Sequence, residues 1–301
     1  MNSGVAIAGV WFKNPVITAS GTFGHGEEYA DFVDLNKLGG VTVKGVSTEP
    51  WKGNKPPRVV ETYGGMLNAV GLQNPGVKAF LQKDLPYLRR FDTNVIVNIC
   101  GHTVDEYAAA ARMISEAGGA DMLEVNISCP NIQDGGMAFG SDPAAAARVI
   151  KAVRETTRLP VIAKLSPNVT DITEIAKAAE SEGADCISLI NTVLGMKIDV
   201  KTKKPVLGNV FGGLSGPAIK PIAVRMVWQT ARAVSAPIIG MGGVSDAEDA
   251  IEFLLAGASL VAVGSANFFN PTVTVEIIEG IEKYMLENGF SNVAEIRAQT
   301  V

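Results

Sequence analysis

The chain has 301 residues, 47% of them hydrophobic and 19% charged, with a formal net charge of −5 and a pI near 5.2. An acidic chain with no basic patch does not fit nucleic-acid binding. Its longest apolar runs, such as 159–163, fall far short of the roughly 18 residues that a membrane span requires.

The first ten residues are mildly apolar but carry no basic region and no cleavage site, so no signal peptide is expected. Three scattered cysteines, Cys100, Cys129 and Cys186, suit neither a disulfide framework nor a zinc site. A reducing cytoplasm is the expected location.

In chain order, short Val/Ile-rich runs alternate with amphipathic stretches. The predicted strands cover 16–19, 40–44, 94–99, 122–126, 161–164, 186–190, 238–241 and 260–263. Near-continuous apolarity is the pattern of parallel strands covered on both faces. Helical patterns lie between them. Those at 104–117 and 142–156 are Ala-rich, that at 172–182 carries charge along one side, and that at 246–256 follows a Ser-Asp cap signal. Glycines stop several of them, as at Gly118-Gly119, Gly183 and Gly257. Eight strand–helix units predict a single-domain (β/α)8 barrel over 1–301, since such barrels run to roughly 250 residues or more as one unit. A doubly wound open sheet fits the same alternation.

Two connections are too long for ordinary loops: 45–76 after strand 2, and 191–216 after strand 6. Both leave the C-terminal end of a strand, where they would cap the active face, and long loops in compact domains are usually functional. A third long loop follows strand 4, with Gly135-Gly136 as a candidate hinge.

The sharpest pattern comes from the residue that ends each strand. In order these are Ser20, Lys44, Asn98, Asn126, Lys164, Asn191, Gly242-Gly243 and Gly264-Ser265. One such polar residue is ordinary at a loop edge. Eight of them converge on the mouth of a barrel, where catalytic residues come from several strands. Glycines after strands 7 and 8 let backbone N–H groups approach a phosphate, a common use of those loops. Lys44 and Lys164 each close an apolar strand. With no acidic residue closing a neighbouring strand, their counter-ion is expected to be a ligand. Asn68, Asn98, Asn126 and Asn191 each offer a donor and an acceptor, which suits a planar ring edged with C=O and N–H groups, such as a flavin or a pyrimidine. Cys129 follows strand 4 directly. A thiol there serves as acid–base group, as nucleophile, or as a small packing residue. Cys100 and Cys186 read as packing residues at strand edges.

Together, Ala19-Ser20-Gly-Thr-Phe-Gly, Val43-Lys44-Gly45, Asn68-Ala-Val-Gly-Leu72-Gln-Asn-Pro-Gly and Asn126-Ile-Ser-Cys-Pro-Asn131 resemble the dihydroorotate dehydrogenases. The resemblance covers essentially the whole chain, in order. The Cys-containing loop resembles the soluble class 1, and the segment from Gly64 through Asn74 resembles the NAD-linked class 1B more than the fumarate-linked class 1A.

This resemblance implies FMN as cofactor, (S)-dihydroorotate as substrate, and a place in de novo pyrimidine (UMP) biosynthesis. It implies that Cys129 takes the C5 proton while hydride leaves C6 for the flavin, and that Lys164 lies near the N1/O2 edge of the flavin ring. Ser20, Lys44, Gly45, Asn98, Asn126, Ile190, Gly216, Gly242, Gly243, Gly264 and Ser265 would complete the FMN site. Lys44, Asn68, Ala69, Val70, Gly71, Leu72, Asn126, Asn191 and Thr192 would hold the substrate. The chain has neither a strand–GxGxxG–helix unit for a dinucleotide nor the grouped thiolates of an iron–sulfur cluster. A partner subunit bearing FAD and a 2Fe–2S centre, in a heterotetramer of two chains of each kind, is therefore implied. The alternatives are a class 1A enzyme, a related pyrimidine-reducing flavin barrel, and a phosphate-binding barrel without redox chemistry.

Overall fold

The computed structural model describes residues 2–128, 133–134 and 137–299. Eight parallel strands close into a barrel: β1 (Val16–Thr18), β2 (Gly40–Thr42), β3 (Asn94–Ile99), β4 (Met122–Asn126), β5 (Val161–Lys164), β6 (Cys186–Leu189), β7 (Ile238–Met241) and β8 (Ala258–Val263). The ring closes where Val261 pairs with Val16. The barrel is borne out, and an open doubly wound sheet is excluded. Val95, Ile96, Leu123, Val125, Ile162, Ile187, Ile239 and Val261 are all fully buried, as parallel strands between a barrel interior and a helical shell must be.

The outer helices begin where the sequence supplies caps. Thr103 accepts the Glu106 amide ahead of Val104–Ala117, and Asp142 accepts the Ala145 amide ahead of Pro143–Arg154. Asp171 and Asp246 do the same for Ile172–Ser181 and Ala247–Leu255. Each cap satisfies an N–H that would otherwise have no intrahelical partner.

Strict strand–helix alternation fails in two places. After β1 there are only two short 3₁₀ turns, Glu27–Tyr29 and Leu35–Lys37. Gly21, Gly24 and Gly26 hold positive φ there, which no α-helix tolerates. After β2 the helical stretch widens into a π turn over Phe80–Asp84 before ending at Leu85–Leu88, where Pro86 supplies no backbone N–H. A hairpin not foreseen from sequence, Val5–Ile7 with Val10–Phe12, turns through Ala8 and Gly9. It lodges the buried Phe12 ring against Gly40, at the N-terminal end of the barrel.

The two long excursions join each other. Gly65–Asn68, from the β2–β3 connection, pairs antiparallel with Phe211–Ser215, from the connection after β6. Val59–Thr62 and Val193–Met196 extend this into a four-stranded sheet over the C-terminal mouth. Leu67, Ala69 and Leu207 form a small second apolar cluster packed with it.

Candidate active site

Strand ends and excursions together enclose a cavity of 670 Å³ at the C-terminal mouth. Every predicted site residue within the described part of the chain lines it. Ser20, Lys44, Gly45, Asn98, Asn126, Lys164, Ile190, Asn191 and Thr192 come from the barrel rim. Gly216, Gly242, Gly243, Gly264 and Ser265 form one end, and Asn68 through Leu72 come from the first excursion. Cys129 lies outside the described residues, as does the expected hinge at Gly135-Gly136. Neither His25 nor His102 lines the cavity.

The two lysines differ, and here the expectation that both await a ligand anion is corrected. Lys164 has a protein carboxylate 4.0 Å away: Glu124, in the middle of β4 and only 2% exposed. The Lys164 ammonium also donates to the Ser20 hydroxyl at 2.9 Å. Reading only strand ends missed Glu124, because it sits two residues before the end. Its signal was nonetheless present, as an acidic residue at the same strand face as Asn126 within the apolar run Met122–Asn126. Lys44 has no carboxylate within ion-pair distance among the described residues. Burial pushes its pKa down against an opposing influence from Cys100, and the Lys164 and Arg58 charges add smaller pushes downward. A depressed ammonium facing a cavity is a place for an anionic group.

The asparagines have fixed polarities. Asn191 donates to the Ser128 hydroxyl at 2.7 Å, and Ser128 donates to Asn126 Oδ1 at 2.6 Å. That relay leaves Asn126 with its amide N–H groups, and Asn191 with its oxygen, for anything in the cavity. Asn98 donates to Glu124 at 2.5 Å, so its Oδ1 is buried with no protein partner among the described residues. Asn68 donates to the Gly213 carbonyl at 3.3 Å. Ser128 and Asn168 also line the cavity and were not foreseen.

At the other end the backbone is bare. Gly216, Gly242 and Gly243 have φ of +105, +122 and +84. A Cβ on Gly216 would lie 2.6 Å from the Gly65 Cα, and one on Gly243 would lie 2.9 Å from the Gly216 carbonyl. Only glycine fits, so main chain is presented to the cavity without side chains. The helix after β7 contributes less to this end than its sequence suggests, because Asp246 already caps it. Cys186 is fully buried on β6, with its thiol pushed up to about 12, in keeping with a packing role.

The model of the dihydroorotate dehydrogenase family matches residues 3–285. The chain belongs to the dihydroorotate dehydrogenase family. It is 60% identical over 296 residues to the catalytic subunit of dihydroorotate dehydrogenase B (NAD(+)) from Lachnoclostridium phytofermentans, covering 98% of each chain. It is 59% identical to the protein of the same name from Alkaliphilus metalliredigens, over 99% of this chain and 98% of that one. The resemblance to the NAD-linked branch is borne out by these names. Among the described residues, no helix is long and apolar enough to cross a membrane.

The cavity fits the FMN that this dihydroorotate dehydrogenase fold implies. The glycine cradle, which any Cβ would fill, suits a phosphate. The orphaned Asn98 oxygen suits a ring N–H, and Lys164 suits an electron-rich ring edge.

Proposed function

We infer that the chain is an FMN-dependent, NAD-linked dihydroorotate dehydrogenase of class 1B, which oxidises (S)-dihydroorotate to orotate in pyrimidine biosynthesis. The observation that carries this reading is one cavity lined by a glycine cradle at one end, by Lys44 with no carboxylate beside it among the described residues, and by asparagines of fixed polarity. Bound FMN would supply the acceptor for the substrate's hydride.

The chain's own residues do the rest. Gly216, Gly242, Gly243, Gly264 and Ser265 hold the phosphate through backbone N–H groups, and Ser20, Gly45, Asn98, Lys164 and Ile190 border the ring. Lys44 binds the substrate carboxylate. Asn126 donates to the pyrimidine ring while Asn191 and Asn68 complete its edge with Thr192, and the segment from Ala69 to Leu72 closes over it. Cys129, next in sequence to Ser128, takes the proton from substrate C5 as hydride leaves C6, giving orotate.

The electrons pass to NAD through a partner subunit bearing FAD and a 2Fe–2S centre, in an assembly of two chains of each kind. Support comes from the words "catalytic subunit" in the relatives' names and from the absence, among the described residues, of any group of three His, Cys, Asp or Glu side chains able to hold a metal.

The test is the visible spectrum of the purified chain before and after anaerobic addition of dihydroorotate. A flavin spectrum that bleaches, with NAD reduced only after the partner is added, is the expected result. A colourless protein would overturn the flavin assignment, and fumarate turnover by the isolated chain would move it to class 1A.

A further inference from the structure

We propose that Glu124 is a positioning residue of the flavin site, which holds the Lys164 ammonium and the Asn98 amide from beneath and lowers the potential of the bound flavin by offsetting the lysine's charge. This rests on the flavin assignment made above.

Glu124 shares a strand face with Asn126, so it points into the barrel one step below the rim. Its Oε1 accepts from Asn98 at 2.5 Å and its Oε2 accepts from the Ser188 hydroxyl at 3.0 Å. Ser188 is on β6, beyond β5 in barrel order, so that bond crosses the interior. Both oxygens act as acceptors, the pattern of an ionised carboxylate. The Lys164 ammonium is 4.0 Å from Oε1. Asn98 and Lys164 line the cavity, whereas Glu124 and Ser188 do not. Glu124 therefore acts on a ligand only through its neighbours and its charge.

Two consequences follow from this placement. Because Asn98 gives its N–H to Glu124, its oxygen is the atom left for the cavity, and the amide cannot flip without facing N–H away from the carboxylate. Because the carboxylate is buried beside Lys164, the pair is close to neutral. Uptake of a hydride adds one negative charge to a bound flavin ring. A lone buried lysine would favour that reduced form strongly, and the Glu124 charge tempers it.

The test is potentiometric titration of FMN-loaded protein, together with FMN affinity in the oxidised and reduced states. Glu124→Gln keeps the shape and removes the charge. It is expected to raise the affinity for reduced relative to oxidised FMN about tenfold, a rise of about 30 mV for a two-electron couple. Glu124→Asp should return the potential toward that of the unaltered protein. Lys164→Met should lower the potential, and the double variant Glu124→Gln with Lys164→Met should lie above Lys164→Met alone.

A Glu124→Gln potential equal to that of the unaltered protein, or a double variant equal to Lys164→Met, would overturn the proposal. If the single variants fail to load FMN and the double variant loads it, the proposal stands, since each charge is then shown to need the other. A double variant that fails along with the singles would overturn it. Failure of the flavin assignment reads differently, because the unaltered protein itself would then bind no FMN.

Discussion

The side-chain amide of Asn191 donates to the hydroxyl of Ser128 at 2.7 Å, tying the connection after β6 to the turn after β4. Ser128 passes the polarity on to Asn126, so one hydroxyl decides which amide faces the cavity as donor and which as acceptor. Replacing Ser128 with Ala frees both amides to rotate. KM for dihydroorotate is expected to rise about tenfold to a hundredfold, the cost of leaving buried polar groups unpaired. FMN absorbance and affinity should stay unchanged. Steady-state kinetics with a dye acceptor measures this, and an unchanged KM would remove the relay from substrate recognition.

Cys129→Ala is expected to retain FMN and slow its anaerobic reduction by dihydroorotate about 10²–10⁴-fold, the usual loss on removing a general base. Cys129→Ser should recover part of the rate, chiefly at high pH. Stopped-flow bleaching of the flavin reads both, and reduction of the Ala variant at the original rate would exclude Cys129 as the base.

Burial, with the Lys164 charge nearby, holds Lys44 below the ordinary lysine value of 10.5. Between the lowered value and 10.5 the unfolded chain binds the extra proton, so this group's contribution to stability rises with pH across that window. Anion binding runs the other way, because only the protonated amine attracts a carboxylate. Orotate affinity should therefore fall as pH rises toward 10.5, with the fall beginning below it. In Lys44→Arg the guanidinium keeps its charge, and the affinity should stay flat over the same range. Flavin difference spectra titrated with orotate at several pH values decide the matter. Parallel profiles for the two proteins would withdraw the carboxylate role of Lys44.

Gly216→Ala forces a side chain onto φ +105 and puts its Cβ 2.6 Å from the Gly65 Cα. Backbone strain of this kind costs about 1–3 kcal/mol, and the clash adds to it. A fall in Tm and a weaker FMN affinity are expected together, by thermal unfolding and fluorescence quenching. An alanine variant with both unchanged would show that this end of the cavity does not hold the phosphate.

The barrel was legible in the sequence because its strands are buried on both faces, so each reads as an uninterrupted apolar run. The predicted strands at 94–99, 122–126, 161–164 and 238–241 coincide with those formed, and the predicted helix at 104–117 coincides with Val104–Ala117. Most of the rim was legible for a related reason: a polar residue ending an apolar run stands out. Glu124 was hidden because its partners, Asn98, Lys164 and Ser188, come from three other strands. The sheet over the mouth was hidden because Asn68 and Gly213 meet across 145 residues of chain, which leaves no local periodicity to read. The hairpin Val5–Phe12 was too short to register, with strands of three residues each.

The sheet that joins the two excursions also limits how this enzyme can be altered. Met66 and Asn68 face the cavity, while Leu67 between them is buried in the small cluster with Leu207. Their pairing with Ser215, Leu214 and Gly213 fixes that alternation. One residue inserted ahead of Met66 in the first strand would turn Leu67 toward the cavity and Met66 and Asn68 away from it, and one inserted ahead of Gly213 in the second would do the same to Leu214 and its neighbours. The two excursions therefore cannot change length one at a time. A tolerated insertion in one needs a matching insertion in the other, so drift in substrate preference along this route would appear as paired changes nearly half the chain apart.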